Sequence, residues 1–169
     1  MRIHLALLGF LVLPACGGGS SQAAPPANAA TAAAKADDTE EPAIQSNDIL
    51  AREADTKKAR VKHILIGWKD LAKSYGPEGM DPRARNRTRA EADELAVKLL
   101  ERVRAGEDID ALMTEYSEDP GTAKTAAPYD VTGDAQLVFS FKRLSLRLKV
   151  GEAGLVQTVY GWHIIKRVE

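Results

Sequence analysis

Alternating hydrophobic and polar positions predict β-strands at both ends of the segment 59–169. Arg60–Gly67 carries apolar residues on both of its faces, which is typical of a central strand. Near the C-terminus, Leu155–Val159 and Trp162–Val168 alternate again, and Tyr160–Gly161 between them supplies a tight turn. Because strands from opposite ends of a domain can pair at its centre, we expect the first strand to lie beside this hairpin.

Helical spacing dominates the region between these strands. Thr88 and Glu91 form a capping box, and Gly106 ends the helix that the box begins. The buried stripe of this helix is Leu95, Leu99, Leu100 and Val103. A second helix is predicted over Asp108–Tyr116, and the long segment 68–87 before both helices is predicted to be a loop.

A short edge strand over Tyr129–Thr132 follows Pro128, and an amphipathic helix then leads to Gly151. The order is strand, helical pieces, short strand, helix and hairpin. That order predicts an α+β fold with a small, mostly antiparallel sheet.

The first 16 residues have the pattern of a targeting segment. Arg2 gives a short positive region, and Ile3–Leu13 is almost wholly apolar yet too short to span a bilayer stably. The segment ends in L-P-A-C at Cys16, which resembles the lipobox of bacterial lipoproteins, where lipid is attached to the cysteine sulfur. An ordinary secretory signal with an incidental cysteine is the alternative.

The position of Cys16 favours the lipoprotein signal, because it is the only cysteine of the chain and lies where the motif requires it. Gly17 after the cysteine, rather than aspartate, would suit outer-membrane sorting in a cell with two membranes. We therefore expect a lipid-anchored protein of the cell envelope, on the extracytoplasmic side, that contacts the membrane through Cys16.

Two segments separate this signal from the predicted domain. Residues 17–45 are rich in alanine, glycine, proline and serine and predict a disordered linker. Residues 46–58 predict a short helical lead-in, capped by Ser46. Ile49 and Leu50 are its only large apolar residues, so we expect it to dock weakly and the folded domain to span 59–169.

Charge and cysteine content exclude several classes of function. The 24 acidic and 23 basic side chains nearly cancel, so net charge favours no nucleic-acid partner. A single cysteine excludes an intramolecular disulfide and a cysteine-based zinc cage. The sequence has no H-E-x-x-H pattern and no obvious third ligand, so neither a metal nor another cofactor is predicted.

Two histidines are the candidate chemistry of the domain. His63 and His163 are each the lone polar ring of an apolar strand, and each is followed by isoleucine. A single strand histidine is commonly a satisfied core residue, but two in matching contexts favour a site.

Three stretches in order carry a family resemblance: V-K-H-I-L-I, then A-G-E-D-I-D-A-L-M-T-E-Y-S-E-D-P-G-T-A-K, then V-G-E-A-G-L-V-Q-T-V-Y-G-W-H-I-I. With them, Ala59–Glu169 resembles the parvulin family of peptidyl-prolyl cis/trans isomerases. The resemblance implies a four-stranded, mostly antiparallel sheet surrounded by about four helices. It also implies that proline-containing unfolded or nascent polypeptides are the substrates.

The resemblance assigns roles to individual positions. The family's catalytic positions fall on His63, Asp119, Thr158 and His163. Its apolar proline pocket falls on Tyr129, Leu137 and Phe141. We expect the two histidines to be hydrogen-bonded to each other, and the pocket to favour a twisted amide because water stabilises the planar one.

The chain departs from the family pattern at two places. The family's glycine-rich G-G-x-L-G stretch is A-A-P-Y-D here, at residues 126–130, and we expect Ala126 to be unable to copy a glycine conformation. Phosphate-reading parvulins have a lysine where this chain has Gly67, which argues against strict phosphate specificity.

Arg83, Arg85, Arg87 and Arg89 surround the predicted start of the first long helix, where cations oppose the helix dipole. The first three predict a site for an acidic residue before the substrate proline, with solvated loop charge as the alternative. Two other functions stay open: a non-catalytic parvulin-like chaperone or peptide-binding module, and a structural lipoprotein whose domain docks on a membrane partner.

Overall fold

The computed structural model describes residues 43–75 and 79–169. The predicted signal peptide over residues 1–16, its lipidation site Cys16 and the predicted linker up to residue 42 lie outside the described residues.

A four-stranded antiparallel sheet forms the centre of the fold. Its strands are β1 (Lys58–Ile66), β2 (Tyr129–Thr132), β3 (Ala153–Thr158) and β4 (Gly161–Arg167). Their spatial order is β2-β1-β4-β3, so β1 is a central strand paired with β4 of the C-terminal hairpin. The predicted α+β class, the hairpin and the pairing of the first strand with that hairpin are confirmed.

Helices cover both faces of the sheet. They are α1 (Asn47–Leu50), α2 (Pro82–Arg85), α3 (Arg89–Arg104), α4 (Ile109–Tyr116) and α5 (Phe139–Ser145), with a 3-10 helix over Lys69–Ser74. The predicted capping box of α3 is present. The prediction of a continuous loop over 68–87 is wrong, since Asp81 caps α2 by accepting from Arg83 N and Pro82 occupies its first turn.

Two apolar clusters fill the space between sheet and helices. On one face, Ile64 and Ile66 of β1 pack with α3 and α4. On the other face, Val61 of β1 and Ile165 of β4 pack with α1 and α5. The odd-numbered residues of β1, His63 among them, point to the α5 side because side chains alternate along a strand.

The lead-in before β1 is bound firmly, which corrects the expectation of weak docking. Ile49 and Leu50 are almost completely buried in the cluster beneath α5. Ser46 N donates to Leu155 O, and Leu155 N donates to Ser46 Oγ, both at 2.9 Å. Gln45, the last residue of the predicted linker, is bound as well: Gln157 N donates to its Oε1 at 2.9 Å, and this bond covers part of the exposed edge of β3.

Candidate active site

Strand pairing brings the two histidines together. In the register of β1 and β4, His163 lies opposite Leu65, two residues along β1 from His63. Both rings therefore point to the α5 side, where their centroids are 5.1 Å apart with an angle of 42° between the ring planes. Both are buried.

Two aromatic rings complete what we call the ring cluster: His63, His163, Tyr129 and Phe141. Phe141 of α5 meets His63 edge-on at 5.1 Å and His163 at 5.3 Å. Tyr129, at the start of β2, lies 5.3 Å from His63 and 6.0 Å from Phe141. Leu137 is half-buried and packs against the same apolar cluster. The residues of the predicted proline pocket are thus close together.

The predicted hydrogen bond between the two histidines is absent. Neither ring nitrogen of His63, nor Nδ1 of His163, has a hydrogen-bond partner among the residues that the structure describes. The strand register places the rings diagonally and tilted, rather than with one nitrogen aimed at the other. The bond that His163 makes joins its Nε2 to Thr158 Oγ1 at 2.9 Å.

Thr158 is placed by the turn between β3 and β4. It is the last residue of β3, and its Oγ1 accepts a hydrogen bond from Tyr160 N at 3.1 Å. The hydroxyl therefore joins the turn to the ring of His163.

Asp119 lies at the margin of the ring cluster. Its Oδ2 is 4.0 Å from His63 Nε2, which is beyond hydrogen-bond distance. The same oxygen accepts from Thr122 Oγ1 at 2.5 Å and from Thr122 N at 3.0 Å, with Tyr129 OH at 3.4 Å. Asp119 is thus a carboxylate held by neutral donors next to an uncharged ring.

Burial governs the charge of these groups. Desolvation lowers the pKa of His63 to about 4, although the nearby carboxylate of Asp119 opposes that shift. Desolvation likewise holds the pKa of His163 well below its usual range, and His63 adds to the effect. Burial raises the pKa of Tyr129 to about 12, helped by Asp119. At neutral pH the site therefore holds two uncharged imidazoles and a protonated phenol.

Two of the three arginines predicted to bind an acidic residue are engaged within the fold. Arg83 pairs with Asp81 at 3.0 Å and donates to two backbone carbonyls of the segment 115–117. Arg87 pairs with the buried Glu118 at 2.7 Å. Burial raises the pKa of Glu118 even though Arg87 opposes that shift.

Arg85 is the least committed of the three. Its Nε donates to Met80 O, and it makes no ion pair with any residue that the structure describes. It lines a groove of about 570 Å³ together with Lys124 and Asp119. Two cations thus line the same groove as the carboxylate of the candidate site.

The sequence did not predict that Gly67 is a tightly packed position of the fold. A Cβ at this position would lie 2.9 Å from Tyr75 Oη and 3.2 Å from Ala84 Cβ, so a side chain does not fit. Gly67 N also donates to Glu118 Oε2 at 2.7 Å, and Gly67 O accepts from Arg87 at 2.8 Å. A glycine directly after an apolar strand was the available signal, since it marks a close approach of other atoms.

Ala126 adopts a glycine-like backbone conformation, which the sequence analysis did not expect of an alanine. Its φ is +50°, in the left-handed region, so the expectation that alanine cannot take the place of a glycine there is wrong. The conformation costs a non-glycine residue about 1–2 kcal/mol.

In the described part of the chain, no helix is long and apolar enough to cross a membrane. The same residues contain no group of three or more metal-ligating side chains.

Comparison with known proteins agrees with this geometry. A family model described as the PPIC-type PPIase domain matches residues 47–169. The chain is 35% identical over 111 residues to the foldase protein PrsA of Geobacillus kaustophilus, a match that covers 64% of this chain and 39% of the relative. It is 29% identical over 110 residues to the chaperone SurA of Pseudomonas aeruginosa, covering 64% of this chain and 23% of the relative.

Among solved structures, the peptidyl-prolyl isomerase ESS1 from Candida albicans superposes with a TM-score of 0.56 at 23% identity. The superposition covers 67% of this chain and 63% of that one, and it establishes the shared fold. The chain spans about two fifths of the length of the Geobacillus relative and about a quarter of the Pseudomonas one.

Proposed function

Because this chain belongs to the PPIC-type peptidyl-prolyl isomerase family, we propose that its domain catalyses cis/trans isomerisation of X-Pro bonds in unfolded or folding polypeptides. The observation that carries the proposal is the ring cluster, with Thr158 bound to one imidazole and Asp119 beside the other. Apolar ring faces surround unpartnered nitrogens, which suits a ligand that is partly apolar and partly an amide.

The chemistry needs no covalent step. Rotation about an X-Pro bond faces a barrier of about 18–20 kcal/mol because the planar amide is stabilised by resonance. Water favours the planar, charge-separated form, so a proline held against Phe141 and Tyr129 in a water-poor pocket twists more easily. Each tenfold acceleration needs about 1.4 kcal/mol of preferential binding to the twisted amide.

The carboxylate supports the non-covalent route. The bonds from Thr122 and Tyr129 to its Oδ2 hold Asp119 as a fixed charge, and a carboxylate is a poor nucleophile that amide rotation does not require. The histidines are uncharged at neutral pH, which makes an imidazolium acid an unsuitable catalyst.

The proposal is tested by comparing the rates at which wild-type protein and the Phe141→Ala variant isomerise X-Pro peptides. We expect kcat/KM to fall about 10–100-fold, which corresponds to about 1.4–2.8 kcal/mol of transition-state stabilisation. Phe139→Ala is the matched control, since Phe139 lies two residues away on the same helix and is 72% exposed. Phe141→Leu guards against loss of folding in the alanine variant, and circular dichroism checks each protein.

A non-catalytic peptide-binding module is the second candidate. Ala126 favours it, because a strained alanine stands where the family has its glycine-rich stretch beside the pocket. The chaperone name of the Pseudomonas relative is compatible with this function. Wild-type protein that binds proline peptides without accelerating their isomerisation would establish the module and defeat the enzyme.

In this proposal the preferred substrates have an acidic residue immediately before the proline. Arg85 and Lys124 line the groove that contains Asp119, whereas Arg83 and Arg87 are held by ion pairs with Asp81 and Glu118. Charge-assisted contacts from Arg85 and Lys124 favour glutamate over lysine at that position.

Anchoring of the domain in the cell envelope through Cys16 completes the proposal. The lipobox-like sequence that ends at Cys16 supports it, and substrates would then be secreted or envelope proteins. Wild-type protein should partition into detergent and carry acyl chains by mass, whereas Cys16→Ala should lose both properties. A soluble wild-type product cleaved at another position would contradict lipidation.

A further inference from the structure

We propose that Tyr75 is a positioning residue whose hydroxyl holds the β3–β4 turn and, through that turn, orients Thr158 towards His163. The inference rests on the isomerase function proposed above, because the oriented pair belongs to the candidate active site. Tyr75 itself lies outside the ring cluster, at the end of the 3-10 helix.

Three hydrogen bonds, two of them joined through the backbone of Tyr160, connect Tyr75 to the imidazole. Tyr75 Oη donates to Tyr160 O at 2.5 Å. Tyr160 N donates to Thr158 Oγ1 at 3.1 Å, and Thr158 Oγ1 lies 2.9 Å from His163 Nε2. The two tyrosine rings also meet edge-on with centroids 5.7 Å apart. The hydroxyl of Tyr75 therefore holds the carbonyl of the turn residue, and the ring of Tyr75 packs against the ring of that residue.

The orientation of His163 depends on this connection. Thr158 is its one hydrogen-bond partner among the residues described, since its Nδ1 has none. A hydroxyl has one proton and two lone pairs, and the Tyr160 N–H already occupies one lone pair of Thr158. The direction in which the Thr158 hydroxyl can bond to His163 Nε2 therefore depends on where the turn holds Tyr160 N.

Two glycines make room for the arrangement. A Cβ on Gly67 would lie 2.9 Å from Tyr75 Oη, so any side chain there would displace the hydroxyl. Gly161 has φ +133°, and a Cβ there would lie 2.3 Å from Ile66 O. Both glycines are needed for the turn, the end of β1 and Tyr75 to meet. Burial also raises the pKa of Tyr75, which keeps its hydroxyl a donor.

Tyr75→Phe removes the hydroxyl and retains the ring. We expect kcat to fall about tenfold with KM within twofold, because substrate contacts are intact and only the Thr158–His163 geometry is loosened. Hydrogen exchange at the Tyr160 amide should quicken about tenfold, while exchange at the Ile164 amide of β4 stays unchanged. Tyr116→Phe, at a half-buried tyrosine of α4, is the matched control and should change none of these.

A merely structural role would quicken exchange at both amides equally, and that result would overturn the proposal. A double-mutant cycle adds a second criterion. In a Thr158→Val background, Tyr75→Phe should lower kcat little further, since its effect passes through Thr158. Fully additive losses of kcat would also overturn the proposal.

Gly67→Ala tests the same connection by another route. It should displace the Tyr75 hydroxyl and reproduce the Tyr75→Phe exchange pattern, whereas Gly133→Ala, where a Cβ meets nothing within 4 Å, should not. If wild-type protein proves inactive, the proposed function fails, but the positioning role is still decided by the Tyr160 amide and by the ¹⁵N shift of His163. Shifts that stay unchanged in Tyr75→Phe would refute it.

Discussion

Asp55→Asn should destabilise the domain by about 2 kcal/mol, although Asp55 lies in the lead-in before the predicted domain. Its Oδ2 pairs with Arg167 Nη1 at 2.5 Å, and Arg167 of β4 is only 8% exposed. Removing the carboxylate leaves a buried guanidinium without a counter-charge. Asparagine keeps the size of the side chain, so the change is confined to charge.

The magnitude follows from the surroundings of the pair. Breaking a fully buried ion pair by removing one partner costs about 3–5 kcal/mol. The side chain of Asp55 is 41% exposed, so water compensates part of that loss. Arg167 also keeps its bonds to Leu148 O at 2.8 Å and Glu169 O at 2.9 Å. These two effects reduce the expected cost to about 2 kcal/mol.

Asp48→Asn is the matched control from the same lead-in. Asp48 pairs with Arg52 at 3.4 Å on the surface, four residues apart, and such pairs contribute about 0.3–0.5 kcal/mol. Urea unfolding followed by circular dichroism should give a lower midpoint for Asp55→Asn at an unchanged slope, and nearly the wild-type midpoint for Asp48→Asn. Equal midpoints for the two variants would refute the assignment of the lead-in as part of the folded domain.

Four further predictions concern the site. Stability should fall as pH drops from about 6.5 to about 4, because the unfolded chain binds a proton at His63 and the folded chain does not. Urea unfolding across that range should show a loss of about 3 kcal/mol or more, since buried His163 adds to the effect. His63→Phe should lower kcat while raising the urea midpoint, since it removes two unpartnered buried nitrogens; a fall in both would show a structural role. Ala126→Gly should stabilise the domain by about 0.5–1 kcal/mol in the same assay, and no gain would mean that the strain at its φ of +50° does not exceed the entropy cost of glycine. Turnover of Glu-Pro over Lys-Pro peptides should be favoured at low salt and the preference should shrink in Arg85→Gln; identical rates would leave Arg85 as surface charge only.

The sheet and the histidine pair could be predicted because their signals are local. A strand with apolar residues on both faces belongs in the interior of a sheet whatever else the chain does, and β1 lies there. Once β1 is central and the last strand is its neighbour, the register of the two strands decides whether His63 and His163 lie on the same face of the sheet. The matching contexts of the two residues favoured a shared face, as observed.

The lead-in could not be predicted because its contacts are distant in sequence. Ile49 and Leu50 are too few to mark a helix that packs, yet both are buried against α5. The bonds from Ser46 and Gln45 to β3 join residues more than 100 positions apart. Hydrophobic periodicity carries no information about such polar contacts, which depend on where the edge of the sheet ends up.

The roles of the arginines depended on the same kind of information. A cluster of cations at the start of a helix suggested a ligand, but the partner of Arg87 is the carboxylate of Glu118, which the sequence places 31 residues away. Burial of that carboxylate next to Gly67 is a property of the folded loop, so the sequence alone could not separate Arg87 from the less committed Arg85.

The distribution of unsatisfied polar atoms is itself an argument for a binding site at the ring cluster. A buried polar atom without a partner costs about 1–3 kcal/mol, and three imidazole nitrogens of His63 and His163 have no partner in the described parts of the chain. Two phenyl rings in their place would avoid that cost. These nitrogens are buried, so water or the amide of a bound peptide reaches them only after the rings move. A site that gives up stability in this way is what we expect of an isomerase that is complementary to a twisted X-Pro bond rather than to its own side chains.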